Sequence, residues 1–374
     1  MHLYLHIPFC RQACHYCDFH FSTNTANKRA IVEAIAQEII LRQSYLPVKK
    51  LETIYFGGGT PSLLDESELD LLLSTIYAQF DVASDAEITL EANPDDLSKE
   101  KLEQLSKAGI NRLSIGIQSF HEPHLKLLNR IHSAGEGENC VKTAQEAGIQ
   151  NISIDLIYAI PAPDHSILLS DIQKAFELNI SHISAYCLTI EPQTAFGSWL
   201  KKKKIKPIDE EFAASQFEIL VGSLRENGFE QYEISNFARN QQYSRHNSSY
   251  WKQQPYLGVG PSAHSYNRVS REYNVSNNAK YLSSIQQDII PASYELLSFE
   301  DITNEYLLTG LRTKWGVKQD ELNSLSNGRF LLQHTKELKK LADKELIVID
   351  NGIILLTEAG KLFADRIASD LFIE

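Results

Sequence analysis

His2-Leu3-Tyr4-Leu5-His6-Ile7-Pro8-Phe9-Cys10-Arg11-Gln12-Ala13-Cys14-His15-Tyr16-Cys17-Asp18-Phe19 opens the chain. His2 to Ile7 reads as a β-strand, and a C-x3-C-x2-C loop follows at once, so one tight turn supplies three thiolates. A 4Fe–4S cube has four irons, so three thiolates leave one iron open to a small chelating molecule. Structural zinc usually takes four closed ligands, often as two C-x2-C knuckles, and no second knuckle follows. His15 or His20 could complete a Cys3His set, so zinc stays open on spacing alone. A disulfide framework fits poorly: the five cysteines are an odd number, and 374 residues can bury a core without staples. Cys140 and Cys187 lie far from the loop and read as buried apolar residues.

Outward from this stretch, short apolar β-branched runs alternate with helical patterns. Strands are predicted over 2–7, 51–56, 87–91, 112–117, 152–157 and 182–190. Helices are predicted between them over 27–45, 66–79, 99–107, 121–128, 135–147 and 167–178. Each crossover needs a helix, so the strands pair in parallel. Six units are fewer than the eight of a closed barrel, which predicts an incomplete (β/α)6 TIM-type barrel. The cysteine loop and the turn Gly57-Gly58-Gly59-Thr60-Pro61 then share the carboxyl ends of neighbouring strands, where such folds place their chemistry.

Beyond a helix over 211–227, residues 229–266 are aromatic and polar with little periodicity, and read as long loops with short strands. Helices over 302–311, 319–325 and 332–343 precede two apolar runs around Asp350-Asn351-Gly352, a strong hairpin signal. The C-terminal part therefore reads as winged-helix-like α+β. DNA binding is a poor use for it, because that segment carries more acids than bases and the chain's net charge is −12. Apolar content of 43% and charged content of 22% are ordinary for a globular protein. The run Lys201 to Lys204 reads as a solvated loop. No apolar run approaches the roughly 20 residues needed to cross a bilayer. Free cysteines and an N-terminus unlike a signal peptide predict a cytoplasmic location. Met1 is the only methionine, so no internal methionine can serve as an axial metal ligand.

Glu91, Gln118 and Asp155 put polar groups at strand ends or within apolar strands. Such groups must be paired or face a ligand, since an unpaired buried charge is costly. An internal ion pair with Arg112 or Arg130 is the structural alternative.

Taken with Phe56-Gly57-Gly58-Gly59-Thr60-Pro61-Ser62, Ser114 to Phe120, Leu127-Leu128-Asn129-Arg130 and Asp155 to Tyr158, the opening motif resembles the radical S-adenosylmethionine (SAM) enzymes. More narrowly, it resembles their HemN-type branch, along the whole chain. The resemblance implies that Cys10, Cys14 and Cys17 hold a 4Fe–4S cluster and that SAM chelates the fourth iron. It further implies that Gly58, Gly59 and Thr60 line the amino-acid end of SAM, with Tyr4 and Tyr16 packed beside it. Glu91, Gln118, Arg130 and Asp155 match positions that hold SAM, Arg130 near the carboxylate and Asp155 near the ribose. Thr189 falls where the family makes a backbone contact to adenosine. Chemistry of this kind consumes an electron, so a one-electron reductant is an implied partner.

The branch contains oxygen-independent coproporphyrinogen III oxidases, which decarboxylate porphyrinogen side chains, and haem chaperones. The oxidases carry a fourth cysteine two positions after the third, where this chain has Phe19, as the chaperones do. They also carry an N-terminal extension, whereas Cys10 stands near the start here. Arg245-His246-Asn247-Ser248-Ser249-Tyr250-Trp251 matches the H-N-x-x-Y-W motif that the resemblance associates with haem. His246 would offer a neutral imidazole to the iron, and Tyr250 and Trp251 flat apolar surface to the ring. His264 is the candidate second ligand. The expected division is a barrel over 1–205, a connecting region with the haem motif over 206–297, and the winged-helix-like part over 298–374. The expected function is a haem chaperone serving acceptor haemoproteins, with membrane respiratory cytochromes the natural class and the oxidase as the alternative. A zinc-stabilised transcription regulator is a third reading. Oligomeric state stays open, a homodimer included.

Overall fold

The computed structural model describes residues 1–374. Six strands, β1 (His2–Ile7), β2 (Lys50–Gly58), β3 (Asp81–Ala92), β4 (Arg112–Gln118), β5 (Asn151–Tyr158) and β6 (His182–Cys187), lie side by side in chain order. All are parallel. Between them run α1 (Lys28–Leu41), α2 (Glu66–Gln79), α3 (Lys99–Lys107), α4 (Glu122–Leu128), α5 (Ala134–Glu146) and α6 (Ser166–Glu177). This is the incomplete (β/α)6 barrel. Local chemistry starts the helices: α2 and α5 each open on a capping box, Asp65 with Glu68 and Ser133 with Glu136.

Strand alternation sorts the residues into two chemistries. Leu3, Leu5 and Ile7, then Ile54 and Phe56, then Ile88 and Leu90, join the large core beneath the helices. The alternate positions line the barrel interior and are polar: His2 with Thr53, Tyr55 with Glu91, Ser114 with Asp155, and Ser153 with His182 are all hydrogen-bonded there. A parallel sheet covered on both faces usually reads as unbroken apolar runs. The polar inner face marks this one as built to hold something.

Residues 206–297, expected as a connecting region, are instead woven onto both edges of the same sheet. After α7 (Ala195–Lys201) and α8 (Glu210–Glu226) come β7 (Glu230–Glu233) and β8 (Asn236–Ala238), and β8 pairs antiparallel with β6. A short helix, α9 (Arg245–Trp251), leads to β9 (Tyr256–Val259), which pairs parallel with β1. Then β10 (His264–Tyr266), β11 (Ser270–Asn274), α10 (Asn278–Ile285) and β12 (Ala292–Leu296) extend the sheet to twelve strands. Among the boundaries that moved, β3 begins at Asp81, α1 ends at Leu41, and β6 ends at Cys187, leaving Thr189 in the following loop.

The C-terminal part is α11 (Phe299–Leu311), β13 (Val317–Lys318), α12 (Gln319–Leu325), α13 (Arg329–Asp343), β14 (Ile347–Asp350), β15 (Ile353–Leu356), α14 (Glu358–Lys361) and α15 (Ala364–Asp370). It has its own core and a three-stranded antiparallel sheet, a winged-helix-like arrangement. Asn351 and Gly352 both take positive φ, as the tight hairpin turn requires.

Candidate functional site

The cysteine loop leaves β1 and is tied down from outside itself. The Cys10 N–H donates to Ser22 O, and the His15 N–H to Leu128 O. Around Asn129, Gln12 Nε2 donates to its carbonyl (2.9 Å), and its own Nδ2 donates to Ala13 O (2.7 Å). Asn129 takes the left-handed φ of 62° at the end of α4, which turns the chain so that Arg130 points back under the loop. The Leu127-to-Arg130 motif thus anchors the cysteine loop as well as supplying an arginine.

Thr60 Oγ1 donates toward Cys10 Sγ (3.4 Å) and accepts from Asn93 Nδ2 (3.2 Å). Arg130 Nη2 donates to Asn93 Oδ1 (2.7 Å) and Gly116 O (2.6 Å), and its Nη1 lies 3.5 Å from Cys14 Sγ. A polar relay therefore joins two of the three cysteines through Thr60, Asn93 and Arg130. Gly116 makes room for it: a Cβ there would stand 3.3 Å from Arg130 Nη2 and 2.9 Å from Gln118 Nε2. Asn93 and Gly116 were missed as site residues. Their signals were faint, a polar residue before Pro94 and a glycine inside an apolar strand.

The backbone N–H groups of the glycine turn are not open to a ligand. Gly58 N–H donates to Glu91 Oε2 (3.1 Å), Gly59 N–H to Ile7 O (2.9 Å) and Thr60 N–H to Phe9 O (2.7 Å). Its donors are spent on holding the cysteine loop against β2 and β3. Gly58 has φ of 107°, and a Cβ on Gly59 would meet Phe9 O at 2.6 Å, so glycine is required at both.

All of this faces one cavity of about 980 Å³. Cys10, Cys14, Tyr16 and Cys17 line it with Gly58, Gly59, Thr60, Glu91, Gln118, Arg130, Asp155 and Thr189, so most predicted residues converge. Glu91 accepts from Tyr55 OH at 2.8 Å, and Asp155 lies 3.4 Å from Ser114 Oγ. The ion-pair alternative fails for both. Arg112 pairs with Glu87 at 3.9 Å, and Arg130 is engaged by Cys14, Asn93 and Gly116. Burial without a paired cation pushes the Glu91 carboxyl up to about 7 and that of Asp155 up to about 6. Burial also raises the Cys10 and Cys17 thiols, to about 11 and about 12.

The amino-acid comparison agrees with this geometry. Residues 4–168 match the Radical SAM superfamily, and residues 297–363 match the HemN C-terminal domain. The heme chaperone HemW of Bacillus subtilis (strain 168) is 35% identical over 368 residues, 97% of this chain and 97% of the relative. The chain belongs to the HemW family. The HemW of Escherichia coli (strain K12) is 38% identical over 264 residues, 70% of this chain and 69% of that one. The mitochondrial radical S-adenosyl methionine domain-containing protein 1 of Bos taurus is 32% identical over 389 residues, 99% of this chain and 86% of its own. The radical SAM enzyme coproporphyrinogen III oxidase (HemN) from Escherichia coli matches with a TM-score of 0.85 at 22% identity, covering 99% of this chain and 89% of that one; this likeness concerns the fold.

Radical SAM membership implies a 4Fe–4S cluster and SAM, and the residues fit both. Three thiols open on the cavity. No three His, Cys, Asp or Glu side chains converge as a single ion would need, whereas a cube takes each thiolate on a different iron. His15 Nδ1 donates to Leu127 O (2.8 Å) and His20 Nε2 lies 2.8 Å from Asn278 Oδ1, so each ring is held by one nitrogen, and neither joins the three thiols in a single-ion cluster. Cys140 is buried as expected, but Cys187 lines the cavity.

The motif expected to present His246 to haem is arranged otherwise in this HemW-family chain. Helix α9 plugs the amino-terminal end of the barrel, opposite the cysteine loop, and His246 is 0% exposed. Its Nδ1 is 2.6 Å from Thr53 Oγ1 and its Nε2 2.8 Å from Tyr250 OH, so no ring nitrogen is left for an iron. Tyr250 packs edge-on to Tyr256, and the Arg312 guanidinium lies over Trp251, so neither aromatic is an open face. Tyr4 is also outside the cavity lining. It stacks on Tyr55 one layer below, with its hydroxyl 3.1 Å from His6 Nδ1.

Proposed function

We propose that this protein binds haem and hands it to acceptor haemoproteins, with a 4Fe–4S cluster on Cys10, Cys14 and Cys17 and SAM on the open iron. When bound, the cluster and SAM would supply one-electron chemistry, drawn from a reductant partner. Among this chain's groups, Arg130 offers the guanidinium for an anionic carboxylate, and Glu91 and Asp155 offer acceptors for ammonium and hydroxyl donors. Gly58, Gly59 and Thr60 shape the wall between them, with Gln118, Tyr16 and Thr189 around the rest of the ligand.

One observation carries the haem reading. Where the oxidases of the branch hold a fourth cysteine, Phe19 lines the cavity and is 69% exposed. Leu362 and Phe363 of the C-terminal part line the same cavity and are exposed too. Apolar side chains left open at a cavity rim suit a flat apolar cargo rather than a cluster ligand. The name heme chaperone carried by the relatives supports the same choice. No helix is long and apolar enough to cross a membrane, so a membrane-held cytochrome would be met at its surface.

The test is anaerobic reconstitution followed by parallel haem titration and oxidase assay. The proposal expects a saturable Soret band and no protoporphyrinogen from coproporphyrinogen III. Substituting Phe19→Ser should weaken haem binding about 10-fold while leaving the cluster absorbance intact. Vigorous decarboxylation with reductant and SAM would instead assign the oxidase activity.

A further inference from the structure

The segment 245–251 was singled out for haem, yet its chemistry points into the barrel. The backbone N–H groups of Arg245 and His246 both donate to the Glu87 carboxylate at 3.0 Å, seating the start of α9 on β3. Thr53 Oγ1 touches both His246 Nδ1 (2.6 Å) and His2 Nδ1 (2.9 Å). A hydroxyl has one proton, so it donates to one imidazole and accepts from the other. The His246 ring then stacks on Tyr55, centroids 4.8 Å apart at 27°. Tyr55 carries the contact upward: its hydroxyl donates to Glu91 Oε1 at 2.8 Å, and Glu91 Oε2 accepts from Gly58 N–H at 3.1 Å. Glu91 and Gly58 line the cavity beside the cysteines. Tyr4 closes the column from the side, its ring stacked on that of Tyr55.

We infer that His246 is a positioning residue for the SAM site, holding Tyr55 and, through it, Glu91 and Gly58, rather than a ligand of haem iron. The inference rests on SAM being bound at Gly58 and Glu91, as proposed above. The Tyr55 hydroxyl reaches Glu91 from a ring held between the stacked planes of His246 and Tyr4. To face a haem, His246 would have to abandon Thr53 and Tyr250 and draw the start of α9 off Glu87. Each of those buried groups would then lose one of its partners.

The experiment measures SAM affinity and haem affinity on the same anaerobically reconstituted protein, for the wild type, His246→Ala, Tyr55→Phe and the double variant. Cluster absorbance serves as the check that each is loaded. Each single variant should bind SAM about 10-fold more weakly. The double variant should be hardly weaker than either single one, since both break one column. Haem affinity of His246→Ala should stay within about twofold of wild type, because the ring meets no cargo in this arrangement. Loss of haem affinity with unchanged SAM affinity, or strictly additive losses of SAM affinity, would overturn the inference. If His246→Ala does not fold, Tyr55→Phe and Thr53→Val carry the test, and unaltered SAM binding in both overturns it. A wild-type protein that binds no SAM overturns the underlying reading, whereas wild-type binding with unaffected variants overturns this inference alone.

Discussion

Glu91 and Asp155 face one cavity with no cation paired to either, and that has a measurable consequence. Their carboxyls titrate near 7 and 6, above the usual unfolded values of about 4. The native state therefore binds these protons more tightly than the unfolded chain. The associated stability is complete below about pH 4 and is lost as pH rises through 6 to 7. Asp155→Asn should remove its share, raising the stability of ligand-free protein at pH 8 by about 1 kcal/mol after allowance for the open cavity. It should lower SAM affinity at the same time. Urea denaturation at pH 5 and pH 8 checks this, and a variant with the wild-type pH dependence would contradict it. Arg130 makes a second case, because Nη1 and Nη2 reach Cys14, Asn93 and Gly116 together. A lysine cannot span those partners, so Arg130→Lys should weaken SAM binding about 10-fold or more and shed iron faster, read by calorimetry and by cluster absorbance over time.

At the scale of elements, α9 depends on one distant carboxylate. Glu87 accepts two of its backbone N–H groups and is the counter-charge of Arg112, which is 1% exposed. Glu87→Ala should cost about 3–5 kcal/mol, as expected when one partner of a buried charge pair is removed. Glu87→Gln, which can still accept, should cost less. Chemical denaturation ranks the two. The same helix explains where sequence reading stopped. The alternation of Leu3, Leu5 and Ile7, or of Ile152 and Ile154, belongs to each strand, and the capping boxes of α2 and α5 are complete within four residues. Those elements were legible. Helix α9 has seven mostly polar residues and no apolar period, and its seat on β3 lies 158 positions away in the chain. Strands β11 and β12 were invisible for a related reason: they close one end of the sheet, β12 as its edge, and are held by pairing with β10 and with each other.

Across the whole molecule, the C-terminal part forms one rim of the cavity. Arg312 reaches Glu233 (3.0 Å) and Asp365 (2.7 Å), and Lys361 Nζ donates to Gln231 Oε1 at 2.8 Å. The Glu233 side chain is almost fully buried, so its bond to Arg312 is costly to break. Arg312→Ala should loosen the rim, speeding amide hydrogen exchange over residues 361–366 while leaving the strands of the barrel protected. Uniform exchange in variant and wild type would show that other contacts hold the rim.

The sequence by itself determined the three-cysteine loop, the order of strands and helices in the barrel, and the hairpin near the C-terminus. Each depends on neighbours within a few residues, where spacing and alternation are the physics. Only the tertiary structure decided which polar groups meet those cysteines. Asn93 and Gly116 joined the site, Tyr4 dropped beneath it, and residues 206–297 became part of the barrel sheet. It also decided that His246 faces Thr53, Tyr55 and Tyr250. A histidine's role follows from what its two nitrogens touch, and here those partners come from another strand and from closure of the barrel, which no local pattern of residues encodes.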